Sequence, residues 1–166
     1  FYEEFAQIEI AFDDHEREQV MRMNLTEKKS EFFLNKVPQK SIRGFLGNFY
    51  AVIFTPSHLK IIQEGPSYRR RFLNQGISQL RRDYAGYYLK YQKALLQRNN
   101  FLKKGKNQDE LLDIWDLQLA KLGTVISLLR SDYVKKISAH IKEIYSELSS
   151  GKEEIDIEYQ STVFDK

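Results

Sequence analysis

Along the first sixty residues, apolar and polar positions alternate with a period of two. Ala6, Ile8, Ile10 and Phe12 are interleaved with Gln7, Glu9 and Ala11, which places the apolar set on one face of a strand. The polar stretch 13–18 reads as a turn, and Met21, Met23 and Leu25 alternate with Arg22 and Asn24 on the return. Residues 31–34 predict a third strand that turns at Asn35-Lys36, and 41–46 a short helix closed by Gly47. The run Phe49-Tyr50-Ala51-Val52-Ile53-Phe54 is unbroken and rich in β-branched and aromatic residues, the pattern of a strand buried on both faces.

Beyond Gly65 the period changes to that of a helix. Pro66 suits a first helical position, and Phe72, Leu73, Ile77, Leu80, Tyr84, Tyr88, Tyr91, Leu95 and Leu102 recur at helical spacing as far as about residue 104. Gly76 and Gly86 each weaken such a helix by about 1 kcal/mol relative to Ala, so a break is expected near one of them. A linker follows at 105–108, with Asn107 and Glu110 spaced as a capping box. Leu112, Trp115, Leu119, Leu122, Ile126, Leu129, Tyr133, Ile137, His140 and Ile144 then form a seam of several heptads. Such a seam needs a partner, and an antiparallel hairpin with the preceding helix supplies one. Ser149-Ser150-Gly151 stops the helix. Ile155, Ile157 and Tyr159 alternate with Asp156 and Glu158, a strand pattern returning to the first sheet.

The predicted fold class is therefore α/β in the α+β sense. A sheet-rich part at 1–65 carries a helical arm of two long helices at 66–150, and 151–166 holds a returning strand. The chain starts Phe1-Tyr2-Glu3 without an initiator Met, and the expectation is a piece of a longer protein.

Composition narrows the chemistry. With 166 residues, 42% apolar and 30% charged, the chain has enough apolar content to fold. It lacks cysteine, which removes disulfides, thiolate metal sites and cysteine nucleophiles, and its three histidines are scattered. No apolar run has the length of a membrane span, so a cytoplasmic location is expected. The net charge of +3 conceals a strong segregation: residues 66–106 hold eleven Lys and Arg against one acid, Asp83, whereas the flanking segments are acidic. A local excess of this size attracts polyanions.

Catalytic signatures are missing. No G-x-x-x-x-G-K-[ST] occurs, and Arg43-Gly44-Phe45-Leu46-Gly47-Asn48 has two glycines without the Lys-Ser/Thr that phosphate cradling requires. No nucleophile elbow joins a Ser, His and Asp, and the acidic turn of Asp13, Asp14 and Glu16 has no metal-ligand spacing. Two basic candidates and a tyrosine cluster remain. Arg69, Arg70 and Arg71 sit in the first turns of a helix, where cations oppose the dipole; they reach either an anion, a neighbouring lobe or acids of the sheet. Arg81, Arg82, Lys90, Lys93, Arg98, Lys103 and Lys104 are candidates for nucleic-acid phosphates, against the alternative of a solvated face. Tyr84, Tyr87, Tyr88 and Tyr91 fit a helix-pair interface better than a base-stacking platform. Trp115 and His140 read as core residues, and His58 as a surface residue.

Particular residues resemble a known family. Val52-Ile53-Phe54-Thr55-Pro56-Ser57-His58-Leu59, Gly65-Pro66-Ser67-Tyr68-Arg69-Arg70-Arg71-Phe72-Leu73-Asn74, and Tyr91 followed by Leu96-Gln97-Arg98-Asn99-Asn100-Phe101-Leu102-Lys103 are similar to the RecF family of bacterial recombination mediators. Ile114-Trp115-Asp116-Leu117-Gln118-Leu119-Ala120 and Tyr159-Gln160-Ser161 continue the match in order. The family pattern differs at Ser57-His58, where it has Glu-Asp, often at Asn74, where it has Asp, and at Asn35-Lys36, where a hairpin Asn-Gly is replaced by a pair less suited to a type I′ turn.

The resemblance implies an ABC-type ATPase head similar to Rad50, with a DNA-dependent ATPase activity that needs ATP and Mg bound between two protomers. Its Walker A, signature and Walker B motifs are absent from this chain, which alone is expected to bind no cofactor and to be inactive. It further implies binding at single-strand gaps or junctions of DNA, work with RecO and RecR, and RecA loading in repair, replication and the SOS response. Arg69, Arg70, Arg71 and Asn74 would couple the nucleotide lobe to the arm. The alternative is an arm that binds RecR or another head without touching DNA.

Overall fold

In the computed structural model of the chain, the residues described are 4–14, 16–103 and 109–161, the side chains of 109–111 excepted. They form two compact units, one ending at Phe54 and the other starting at Thr55.

The first unit is a four-stranded antiparallel meander in the order β1 (Phe5–Asp13), β2 (Glu18–Thr26), β3 (Ser30–Leu34), β4 (Val37–Gln39). The register pairs Ile10 with Met21 and Met21 with Leu34, and Ile8 with Met23 and Met23 with Phe32, so the alternating apolar residues share one face. The other face carries Glu9, Arg22 and Phe33, with the Arg22 guanidinium 5.3 Å from the Phe33 ring centre. The turn between β3 and β4 has φ of 51° at Asn35 and 68° at Lys36, the left-handed values of a two-residue hairpin loop. Asn35 can hold this turn because its side-chain oxygen accepts from the Val20 N–H at 2.8 Å while its own N–H donates to the Val20 carbonyl. The predicted short helix is a single 3₁₀ turn, Ile42–Phe45, capped by the Ser41 hydroxyl and followed by Gly47 at φ 73°.

One expectation fails here. Residues 49–54 are not a strand; Val52 is 100% exposed, and Ile53 and Phe54 are also exposed. The composition suits a doubly buried strand, but the segment is not part of the described ladder β1-β2-β3-β4, and its Phe49 ring centre lies 5.0 Å from that of Phe12 on β1.

The second unit is helical. After a 3₁₀ turn, Pro56–Leu59, come α1 (Lys60–Gln63), α2 (Pro66–Leu80), α3 (Arg82–Lys103) and α4 (Asp109–Ser149). Pro66 opens α2 as its spacing predicts. The break falls at neither glycine but at Arg81, whose extended backbone (φ −133°, ψ 102°) ends α2 while its carbonyl accepts from the Tyr84 N–H. In a continuous helix Asn74 and Tyr84 would stand about 15 Å apart along the axis. The break brings the Tyr84 hydroxyl to 2.6 Å from the Asn74 side-chain oxygen, a hydrogen bond that joins α2 to α3.

The α3/α4 antiparallel pair is formed, and its core is Ile77, Tyr84 and Ile126, with Leu73, Tyr87, Tyr88, Tyr91, Leu129 and Tyr133 packed around them. The tyrosines are thus interface residues. Phe101 and Trp115 pack ring against ring at 5.1 Å further along the hairpin. The capping pair Asn107 and Glu110 lies outside what is described. The seam of α4 holds as far as Ile137 and then drifts: Val134, Ile141 and Tyr145 turn inward while His140 and Ile144 are exposed, which corrects the core reading of His140. A straight helix slips about 20° per heptad against a 3.5-residue repeat, so the heptad pattern cannot mark the buried face over 41 residues.

Ser150 and Gly151, at φ 53° and 70°, end α4, and the Gly151 N–H donates to the Ser146 carbonyl. The predicted strand at 155–159 is absent. Ile155, Ile157 and Tyr159 do alternate half-buried with exposed neighbours, but against the helices. Tyr145 donates to Glu153, and Lys142 pairs with Asp156 at 3.0 Å. Tyr159 reaches Arg130. The segment runs back along α4, and period two serves a strap across a helix as well as it serves a strand.

Candidate nucleic-acid interface

The basic residues of α3 divide by helical geometry. At about 100° per residue, Arg82 and Lys93 lie within about 20° of each other, Lys90 and Lys103 about 60–80° to either side, and Arg98 about 160° away. The structure matches this arithmetic. Arg82, Lys90, Lys93 and Lys103 are exposed, whereas Tyr84, Tyr88, Tyr91 and Ala94 face the core. Lys90, Lys93 and Lys103 have no ion-pair or hydrogen-bond partner among the described residues.

Arg98 belongs to the inner side. Its guanidinium grips the Asp116 carboxylate with two hydrogen bonds, the longer 3.3 Å, and so ties α3 to α4. The hydrogen bond from Arg98 holds the Asp116 carboxyl below its ordinary range. Arg81 pairs with Asp83 at 3.3 Å, beside the helix break. Lys104 lies outside the described residues. Of the seven predicted phosphate contacts, the structure therefore gathers four on one exposed stripe, commits Arg98 to packing and holds Arg81 beside an acid.

The three successive arginines of α2 also have separate surroundings. Arg69 donates to the Ile61 and Glu64 carbonyls at 3.1 and 3.2 Å, satisfying the otherwise unpaired end of α1. Arg70 faces α3 and α4, and Arg71 is exposed with no partner among the described residues. Asn74 is the centre of a network that sequence reading missed. Its side-chain oxygen accepts from the Tyr84 hydroxyl and from Arg130 at 2.8 Å, Arg130 also donates to the Tyr84 oxygen at 3.1 Å, and Tyr159 completes the set. Tyr84 is fully buried, and burial pushes its hydroxyl above the usual tyrosine range, with Arg130 acting in the opposite direction. The available signal was Arg130 itself, a cation on the apolar stripe between Ile126 and Tyr133. A charge on a buried stripe requires partners.

The two-glycine segment does not have the form of a nucleotide-phosphate cradle. The two-glycine segment 43–48 is a 3₁₀ turn in which a Cβ on Gly44 would collide with the Gln39 side chain. Among the described residues no group of His, Asp or Glu is placed to hold a metal ion. No described helix is long and apolar enough to cross a membrane.

No family model matches the chain. It is similar to the DNA replication and repair protein RecF of Clostridium perfringens strain SM101, with 40% identity over 141 residues, 85% of this chain and 39% of that protein. It is 35% identical to the protein of the same name from Clostridioides difficile strain 630, over 92% of this chain and 41% of that protein. Its fold matches a solved structure of the recombination mediator protein RecF with ATP in the RecFOR pathway, at a TM-score of 0.82 and 32% identity over 90% of this chain. A second RecF structure, described with ATPrS, matches at 0.83 and 31%. The chain spans about two fifths of the length of these proteins. The resemblance read from residues 65–74 and 96–103 holds across most of the chain.

Proposed function

We propose that the chain, which belongs to the RecF family, is the arm-bearing part of a mediator of DNA recombination and repair. The exposed stripe of α3 holds the phosphate backbone of DNA at single-strand gaps or junctions. The observation that carries this reading is the division on α3, where cations not needed for packing collect on one face while Arg98 closes the hairpin on the other. Lys90, Lys93 and Lys103, which have no partner among the described residues, can neutralise phosphates and release the counterions of the DNA, the main source of sequence-independent affinity.

On the same reading, the whole protein is an ABC-type ATPase that dimerises around ATP and Mg and acts with RecO and RecR in loading RecA. No step of that cycle is assigned to the residues of this chain. Arg70, Arg71 and Asn74 lie where α2 meets the rest of the arm, which supports a coupling role; Arg69 spends its donors on α1.

The test is a salt titration of DNA binding by the intact chain. Affinity should fall steeply between low and moderate salt, and Arg82, Lys90 and Lys93 replaced together by Glu should weaken binding to unrelated sequences alike. Unchanged affinity in that variant, with RecR binding retained, would favour the arm as a protein-binding element.

A further inference from the structure

The helical unit contains a cleft of about 370 Å³ between α2, α3 and α4, within the size range of small-ligand sites. Its polar lining comprises Arg70, Arg130, Ser127, Gln92, Tyr88 and Tyr91, and no Asp or Glu lines it. Three of these residues bear on an anion. Arg130 is half-buried, its hydrogen bonds go to the neutral oxygens of Asn74, Tyr84 and Tyr159, and no carboxylate among the described residues pairs with it. Arg70, one turn before Asn74 on the same face of α2, has no ion pair among the described residues. Ser127 is only 7% exposed and lines the same cleft.

A cleft that presents two guanidiniums and a hydroxyl, with no acid in its lining, is matched to an anion. We propose that it is an oxyanion site that takes a phosphate group, held by Arg70 and Ser127 above the charge of Arg130. Guanidinium matches the oxygens of phosphate by paired donors, and the hydroxyl adds a third. The aromatic edges of Tyr88 and Tyr91 leave room for the group that carries the phosphate. The site is separate from the outer stripe of α3 and does not depend on it.

The phosphate has two possible sources, a free anion or nucleotide and the phosphates of a DNA strand, and the experiment separates them. Pyrophosphate is titrated calorimetrically into the intact chain against sodium chloride of equal ionic strength. Saturable one-to-one binding is expected, weakened about tenfold by Arg70→Gln and by Ser127→Ala, and unaffected by Lys121→Gln on the exposed side of α4. Thermal melts confirm that each variant is folded; Arg70 is exposed and Ser127→Ala removes one atom. Competition by a short 5′-phosphorylated oligonucleotide assigns the source to a DNA strand, and failure to compete assigns it to a free anion or nucleotide. Absence of saturable binding, or equal binding in both cleft variants, overturns the site.

Discussion

The two faces of α3 carry the same kinds of residue and use them in opposite ways. On the inner face, Arg98 gives its guanidinium to Asp116, and Tyr84 gives its hydroxyl to Asn74 beside Arg130. On the outer face, Lys90, Lys93 and Lys103 extend into solvent without partners among the described residues. A charge count treats the two sets alike. Their environments separate a cation that stabilises the hairpin from one that is free to meet a ligand.

Substitutions on the two faces should therefore have different consequences. The largest effect is expected from Tyr84→Ala, which empties the centre of the core and strips Asn74 and Arg130 of a partner. It should cost about 3–5 kcal/mol in denaturant unfolding, and a loss below about 1 kcal/mol would mean that the core does not rest on this residue. Gly76→Ala comes next. A Cβ there meets the Tyr133 hydroxyl well inside van der Waals contact, so a loss of about 1–2 kcal/mol is expected despite the better helix propensity of Ala. Adding Tyr133→Phe should restore most of that loss; no recovery would place the strain elsewhere.

Alkaline titration probes the same face. Burial raises the Tyr84 hydroxyl above its ordinary value near 10, so the neutral phenol is the folded form. Its contribution is full below that value and declines as pH rises through the folded value, because the unfolded chain gives up the proton first. Tyr84→Phe should flatten the decline. Asp116 behaves in the opposite sense: held low by Arg98, it supports the hairpin above the usual carboxylate range and loses that support as pH falls through its depressed value. The smallest stability effect belongs to the outer face, where Lys90→Gln and Lys93→Gln should each change unfolding free energy by less than about 0.5 kcal/mol.

Local rules were readable in the sequence. The β1–β2 hairpin, the turn at Asn35-Lys36, the start of α2 at Pro66, the stop at Gly151 and the pairing of α3 with α4 all follow from period, caps and turn residues within a few positions of one another. What failed depends on distant neighbours. Residues 49–54 and 155–159 have strand composition but join no ladder among the described residues, and the break at Arg81 has no Pro or Gly to announce it because its reason is the contact of Tyr84 with Asn74. Half of the site was legible in the same way. The basic run is visible in the sequence, but only the helix phase sets Arg98 beside Asp116 and apart from the exposed cations, and Arg130 was hidden in a stripe that period alone marks as apolar. The Lys36 backbone at φ 68° shows the same limit, since a residue poorly suited to the turn is held there by the hydrogen bonds of Asn35.

The central claim is that the outer face of α3 holds DNA phosphates through Lys90, Lys93 and Lys103. Its most direct test is the slope of log affinity against log salt for the intact chain and for a variant with Lys90, Lys93 and Lys103 replaced by Gln. If each lysine neutralises one phosphate, the slope should become shallower by about 0.9 per lysine, or between about 2 and 3 for the three, while the unfolding midpoint stays put. An unchanged slope in a folded variant would contradict the claim.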